Sequence, residues 1–349
     1  MLQKDVYHLE EIGQQYREIV GNKSANLGEM SRVEGISVPP GFAISIGAYE
    51  KFAKETGISQ EIMTYTRHTF PEGLGFTDLE RLQKASLEIR RIVESREIPE
   101  YLKEDIATHY RVMCDGCGME RVVVSVRSAG AKSHPGQYET YLNVVGFDHI
   151  LQRIVRVWSS IYNTKSISAA LRQAMPIEAC PPVGVCVLKM VNARAAGVCL
   201  TVHPITGNDS EAFVESSLGL GESVVSGAVV PDKFVVDKQS LTLKEIVPGR
   251  KEKQIVATNQ GVIEEVVPVD AQTRLSVTEE EVVGIVKLAN KLESYFGVPQ
   301  DIEWAVDRDL PPPDNIIILQ TRAQVGIPEK KTAVDKIADM MIRKYRDMR

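Results

Sequence analysis

Two consecutive prolines, Pro181-Pro182, divide this sequence into stretches that obey different periodicities. Before them, apolar side chains recur at helical spacing through Ala25, Leu27 and Met30, and again over residues 79–92, 101–112 and 147–174. These predict a helical layer. Strand-like pieces interrupt it at residues 41–45, after Pro39-Pro40, and at 121–126, whose unbroken valines suit a strand covered on both faces. After the proline pair the pattern shortens to β-type runs over 183–191, 197–202, 211–217, 233–236 and 241–247. One long amphipathic helix follows, with Ser276 or Thr278 as its cap, Glu279, Glu280 and Glu281 in its first turn and Gly297 at its end. Strands at 301–306 and 315–321 precede a helical tail. A chain of 349 residues exceeds what one core usually holds. The division therefore predicts an N-terminal lobe over 1–182, a C-terminal lobe over 183–325 and a tail over 326–349, in the α+β class.

Composition narrows function by exclusion. With 41 basic and 47 acidic side chains the net charge is −6, so no global field exists to hold nucleic acid or an anionic membrane, and neither is expected as a partner. The N-terminus lacks an apolar run of signal-peptide length, and no stretch approaches the roughly 20 apolar residues that span a bilayer. The expectation is a cytoplasmic protein. Five cysteines are too few for a disulfide framework in so long a chain. Cys114 and Cys117 are spaced C-x-x-C, but without a second pair they read better as a Gly-containing turn than as a zinc site. None of the six histidines stands in a Ser/His/Asp or H-E-x-x-H arrangement, and for His134 and His203 a hydrogen-bonded loop histidine is the default over a ligand role.

The residues that invite chemistry lie in loops and strand ends. Gly21-Asn22-Lys23 stands where a helix begins, so Lys23 and backbone N–H groups there are able to meet an anion. Arg127 is followed by a small-residue loop, 128–136, which suits either a phosphate-wrapping backbone or a tight strand-to-helix connection. The segment Gly219-Leu220-Gly221-Glu222-Ser223 matches neither G-x-G-x-x-G nor G-x-x-x-x-G-K-[ST]. Near the end, alternation puts Asp301 and Glu303 on one strand face, and Gln320 and Arg322 share a face of the next strand. If those strands pair, carboxylate, amide oxygen and guanidinium converge, which suits Mg²⁺ with a triphosphate. A solvated face with an ion pair fits the same spacing.

Taken in order, GNKSANLGEM (21–30), VPPGFAIS (38–45), VSVRSAGAKSHPGQYETYLNV (124–144), AAGVCLTVHPITGN (195–208), SSLGLGESVVSGAVVPDKF (216–234), DIEW (301–304) and ILQTR (318–322) resemble the N-terminal ATP-binding region of the pyruvate phosphate dikinase and phosphoenolpyruvate synthase family. The resemblance implies a two-lobed ATP-grasp fold with nucleotide between the lobes. It implies Lys23 and Arg127 as phosphate-contacting cations, Glu303 and Gln320 as Mg²⁺ ligands and Arg322 as a phosphate-binding arginine. It also implies Met190 and Val191 as the stretch that meets adenine, and a nucleotide role for Glu222. ATP and Mg²⁺ are the cofactors it carries. Two departures stand out: His134 and Gln137-Tyr138 replace the usual methionines, and His203 replaces Asn or Asp before proline.

The family reaction makes a protein histidine the first phosphoryl acceptor from ATP, which ends as AMP and phosphate. Neither the T-S-H-A-type motif of the family's phosphohistidine domain nor its substrate barrel stands in these residues. The expectation is therefore the phosphoryl-donating half of a split dikinase, acting on a partner subunit that carries the phosphohistidine domain and the acceptor site. The resemblance then points to the ATP-binding subunit of phenylphosphate synthase. The ATP-binding domain of a pyruvate phosphate dikinase, phosphoenolpyruvate synthase or rifampicin phosphotransferase is the alternative, and a non-catalytic nucleotide-sensing protein is a third. In the tail, Val334, Ile337, Ala338, Met341 and Tyr345 recur at helical spacing among lysines and arginines, so 329–349 is expected either to dock a partner or to pack back on its own lobe.

Overall fold

Residues 4–71, 73–75, 77–131, 138–258 and 261–328 are described by the computed structural model, and they form two units with an antiparallel sheet in each. The first unit comprises Met1–Glu34, Val38–Val191 and Ala257–Ile263. Its strands are β1 (Val6–His8), β2 (Gly41–Ile44), β3 (Val124–Ala129), β4 (Thr140–Val144) and β5 (Gly184–Lys189), in the order β1-β2-β5-β3-β4. Its helices are α1 (Arg17–Val20), α2 (Asn22–Met30), α3 (Ile46–Glu55), α4 (Ile58–Thr69), α5 (Leu79–Glu94), α6 (Glu100–Gly116), α7 (Phe147–Ser159) and α8 (Thr164–Arg172). Leu82, Ala85, Ile89 and Val93 form the buried stripe of α5, and Phe52 of α3 stacks on Trp158 of α7 with ring centroids 4.9 Å apart.

The boundary expected at residue 182 moves to Val191, because β5 is the central strand of the first sheet and pairs with both β2 and β3. The proline pair interrupts the chain, but the apolar run after it is what completes this sheet. Strand β3 is likewise displaced from the expected 121–126. Its ladder with β5 continues through Arg127↔Cys186 to Ala129↔Gly184, so Arg127 lies within the strand rather than after it. Cys114 stands in the last turn of α6, and Cys117 is the C-cap of that helix.

The second unit comprises Gly35–Ser37, Asn192–Val256 and Glu264–Arg349. Strands β6 (Ala193–Leu200), β7 (Glu211–Leu218), β8 (Asp232–Asp237) and β9 (Leu243–Val247) are followed by β10 (Lys253–Thr258) and β11 (Gly261–Val266), of which residues 257–263 are assigned to the first unit, and by β12 (Gln300–Asp307) and β13 (Ile316–Ala323). The six-stranded sheet has the order β13-β12-β6-β7-β8-β9, and β10 and β11 pair with each other in a separate sheet. A one-turn helix α9 (Glu222–Val225) follows β7, and the long α10 (Glu279–Phe296) packs Val282, Ile285, Val286, Ala289 and Leu292 inward. Thr278 rather than Ser276 caps α10, closing a reciprocal capping box with Glu281, because the Ser276 hydroxyl is bound to Asp232 and Ser216. No helix among the described residues is long and apolar enough to cross a membrane. Residues 132–137, with His134 and Gln137, and the tail 329–349 lie outside the described residues.

Candidate functional site

In the first unit the start of α2 is packed against the end of β3. Gly21, the N-cap, takes φ +80°, and a Cβ there would stand 2.0 Å from the Ala129 carbonyl oxygen. Asn22 N–H donates to the Gly130 carbonyl at 2.9 Å, and no described side chain caps the helix. Lys23 therefore rides on the first turn of α2 beside β3, which carries Arg127. Both cations act on the same buried thiol. Burial pushes Cys186, the ladder partner of Arg127, up to about 11, while a hydrogen bond with Ser24 and the charges of Arg127 and Lys23 pull it back. Two cations beside an uncapped helix start form a concentration of positive potential suited to an anion.

In the second unit β12 and β13 pair antiparallel, with Asp301 opposite Arg322 and Glu303 opposite Gln320. The spacing thus brings all four side chains to one face. Gln320 Nε2 donates to Glu303 Oε1 at 3.0 Å, while Gln320 Oε1 is buried with no hydrogen-bond partner among the described residues. Arg322 is oriented by Asp301: its Nε and Nη2 donate to Asp301 Oδ2 at 2.8 and 2.6 Å. The ladder slips between Glu303 and Trp304, a bulge of the kind that re-aims side chains beside binding sites.

A protein-family model for the AMP/ATP-binding domain of pyruvate phosphate dikinase matches residues 17–342. The chain belongs to that family. It is 35% identical over 363 residues to a probable phosphoenolpyruvate synthase of Staphylothermus marinus, covering 95% of this chain and 43% of that protein. It is 35% identical over 358 residues to the phosphoenolpyruvate synthase of Aeropyrum pernix, covering 93% and 42%. The chain thus spans under half the length of these curated relatives. Among solved structures it is similar to the macrocyclase MdnC of Microcystis aeruginosa MRC, bound with precursor peptide MdnA, at 10% identity and a TM-score of 0.26, over 76% of this chain and 62% of that one. It is also similar to an ATP-grasp ligase of Chryseobacterium gregarium in complex with ADP and peptide, at 13% identity and a TM-score of 0.21, over 76% and 61%. The α+β, ATP-grasp-like architecture is the class this dikinase family implies.

The other residues that the dikinase resemblance singled out fall as follows. Glu222 opens α9, exposed, after a loop held from both sides: Gly219 N–H donates to the Arg194 carbonyl at 3.0 Å and Leu220 N–H to the Ile255 carbonyl at 2.9 Å. Met190 and Val191 are half-buried at the end of the first unit, and Met190 N–H donates to the Val123 carbonyl at 2.8 Å. His203 is a turn-closing residue. Its Nδ1 accepts from the N–H groups of Ile205 and Thr206 at 3.2 and 3.3 Å, the bonds a short Asn or Asp side chain makes at such a turn. The ion pair that the strand spacing left open is that of Arg322 with Asp301. Lys251 carries no signal in the sequence: it reads as a solvated base in G-R-K-E-K and yet is wholly buried.

Proposed function

We propose that this chain is the ATP-binding, phosphoryl-donating module of a dikinase, with Mg²⁺ held by Glu303 and Gln320. The orphaned Gln320 oxygen carries the reading. A buried amide oxygen without a donor costs about 1–3 kcal/mol, and a hard cation coordinated there would satisfy it. Mg²⁺ commonly takes one carboxylate and an amide or water from the protein and fills the rest of its shell with substrate phosphate. When bound, the ion neutralises the charge of the polyphosphate. Arg322, pre-oriented by Asp301, offers the rest of its guanidinium fork to phosphate oxygens. Lys23 and Arg127 supply the cations of the first unit, Met190 and Val191 a backbone edge for adenine, and Glu222 a polar contact from its loop. Phosphoryl transfer asks positioning and charge neutralisation of such residues, and no general base.

The acceptor in this reading is a histidine outside residues 1–349, on a partner subunit or on a further part of the same polypeptide, and ATP ends as AMP and phosphate. The names of the relatives favour phosphoenolpyruvate formation as the final outcome. Phenol, the acceptor expected from a split enzyme, has no residue of this chain behind it and is read as an outcome of the same assay. Incubating the chain with ATP, Mg²⁺ and a histidine-domain protein, with pyruvate or phenol added, should give AMP that depends on the histidine protein. AMP release at the same rate without it, or ADP as the only product, contradicts the reading.

A further inference from the structure

The second unit buries a lysine and an aspartate that the phosphoryl chemistry does not touch. Asp232 opens β8 and Lys251 precedes β10; each is 0% exposed, and Lys251 Nζ lies 2.5 Å from Asp232 Oδ1. The carboxylate is fully engaged. Oδ1 also accepts from Gly249 N–H at 2.8 Å, and Oδ2 accepts from Ser276 N–H at 2.8 Å and the Ser276 hydroxyl at 2.7 Å. Lys251 Nζ donates in addition to the Gly249 carbonyl at 3.0 Å, and Lys251 N–H donates to Gln272 at 3.0 Å. The Ser276 hydroxyl meets that of Ser216, on β7, at 2.6 Å. One buried carboxylate thus joins the start of β8, the loop before β10 and the segment leading into α10. Burying two ions costs several kcal/mol each before pairing, and apolar side chains of equal volume commonly stabilise as well. What the ion pair adds is direction.

That direction matters four residues on, at Ile255. Its carbonyl accepts Leu220 N–H at 2.9 Å. Gly219, at φ +73°, approaches so closely that a Cβ would stand 2.3 Å from the Ile255 oxygen. The loop 219–222 therefore rests on the Ile255 carbonyl of β10 on one side, as it does on the Arg194 carbonyl of β6 on the other. Strand β10 is not part of the six-stranded sheet, so that sheet's ladder does not set its register. A slip of one residue would turn the Ile255 carbonyl away.

We propose that Lys251 and Asp232 are positioning residues: their buried ion pair fixes the register of β10 and so holds the Gly219-Leu220-Gly221-Glu222 loop where it meets ATP. The last clause rests on the nucleotide role given above to that loop. The test uses the full chain carrying Lys251→Met with Asp232→Asn, which removes both charges together. Amide exchange at Gly219 and Leu220 should accelerate roughly tenfold while Val214 in β7 is unchanged, and ATP affinity should fall roughly tenfold in protein that still melts cooperatively. A folded double variant with unchanged exchange at those amides, or with unchanged ATP affinity, overturns the proposal. The unmutated chain gives a second reading should the variant not fold: amides of Lys251, Gly249, Gly219 and Leu220 should open as one unit under increasing denaturant, and separate openings overturn the proposal. If the unmutated chain binds no ATP, the nucleotide reading fails while the exchange results still judge the register claim.

Discussion

Gln320 concentrates the argument into one side chain. Its amide nitrogen is spent on Glu303, and its oxygen is buried without a donor among the described residues, so the residue is poorly placed in the protein without ligand. Gln320→Leu removes an acceptor whose isolation costs about 1–3 kcal/mol and loses a hydrogen bond worth about 1 kcal/mol. The melting temperature without nucleotide should therefore hold or rise, while Mg²⁺-ATP affinity falls tenfold or more. A drop in stability with intact binding would assign Gln320 to the core instead. A different residue sets a pH window. Burial lowers the His8 pKa from 6.5, and the neighbouring His109, with its ring 4.3 Å away, lowers it further, outweighing Glu10 and Glu11. The unfolded chain then binds the proton more tightly. Stability from this group is complete above the unfolded value of 6.5 and is lost as pH falls through it toward the lower folded value. Thermal melts at decreasing pH should show the loss in this window, above the range where carboxylates titrate, and His8→Gln should flatten it.

At the scale of elements, the joint between α2 and β3 is the most sensitive. Gly21→Ala must place a methyl group 2.0 Å from a backbone oxygen at φ +80°, so the helix start has to move. The expected cost is about 2 kcal/mol or more, read from denaturant unfolding, with a matching loss of ATP affinity because Lys23 moves with the helix. Unchanged binding would separate Lys23 from the nucleotide. Much of this scale was legible beforehand. The periodic stripe of α5, the cap and end of α10, and the alternation that pairs Glu303 with Gln320 all follow from side chains facing a core. What was not legible lacked that signal. Strand β11 is exposed along nearly its whole length and shows no apolar alternation, and β1 is only three residues long. The burial of Lys251 depends on Asp232, a partner distant in sequence, which no local pattern reveals. The proline break at 181–182 does not mark where the first unit ends, because tertiary pairing of β5 carries that unit on to Val191.

At the scale of the whole molecule, the two units hold different kinds of charge. The first contributes Lys23 and Arg127, whose charges both act on the Cys186 thiol, and the second contributes a carboxylate, an amide oxygen with no partner among the described residues and a braced guanidinium. A nucleotide-sensing protein would need binding alone. A dikinase module needs the metal to be bound with the nucleotide, and that requirement can be measured without any acceptor. The decisive measurement is a calorimetric titration of ATP into the full chain and into Glu303→Gln, each with Mg²⁺ and with EDTA. The unmutated chain should bind ATP at least tenfold more tightly with Mg²⁺, and Glu303→Gln should lose that gain, about 1.4 kcal/mol or more, while melting at the same temperature. Equal affinity with and without Mg²⁺, or full Mg²⁺-dependent affinity in Glu303→Gln, would contradict the account.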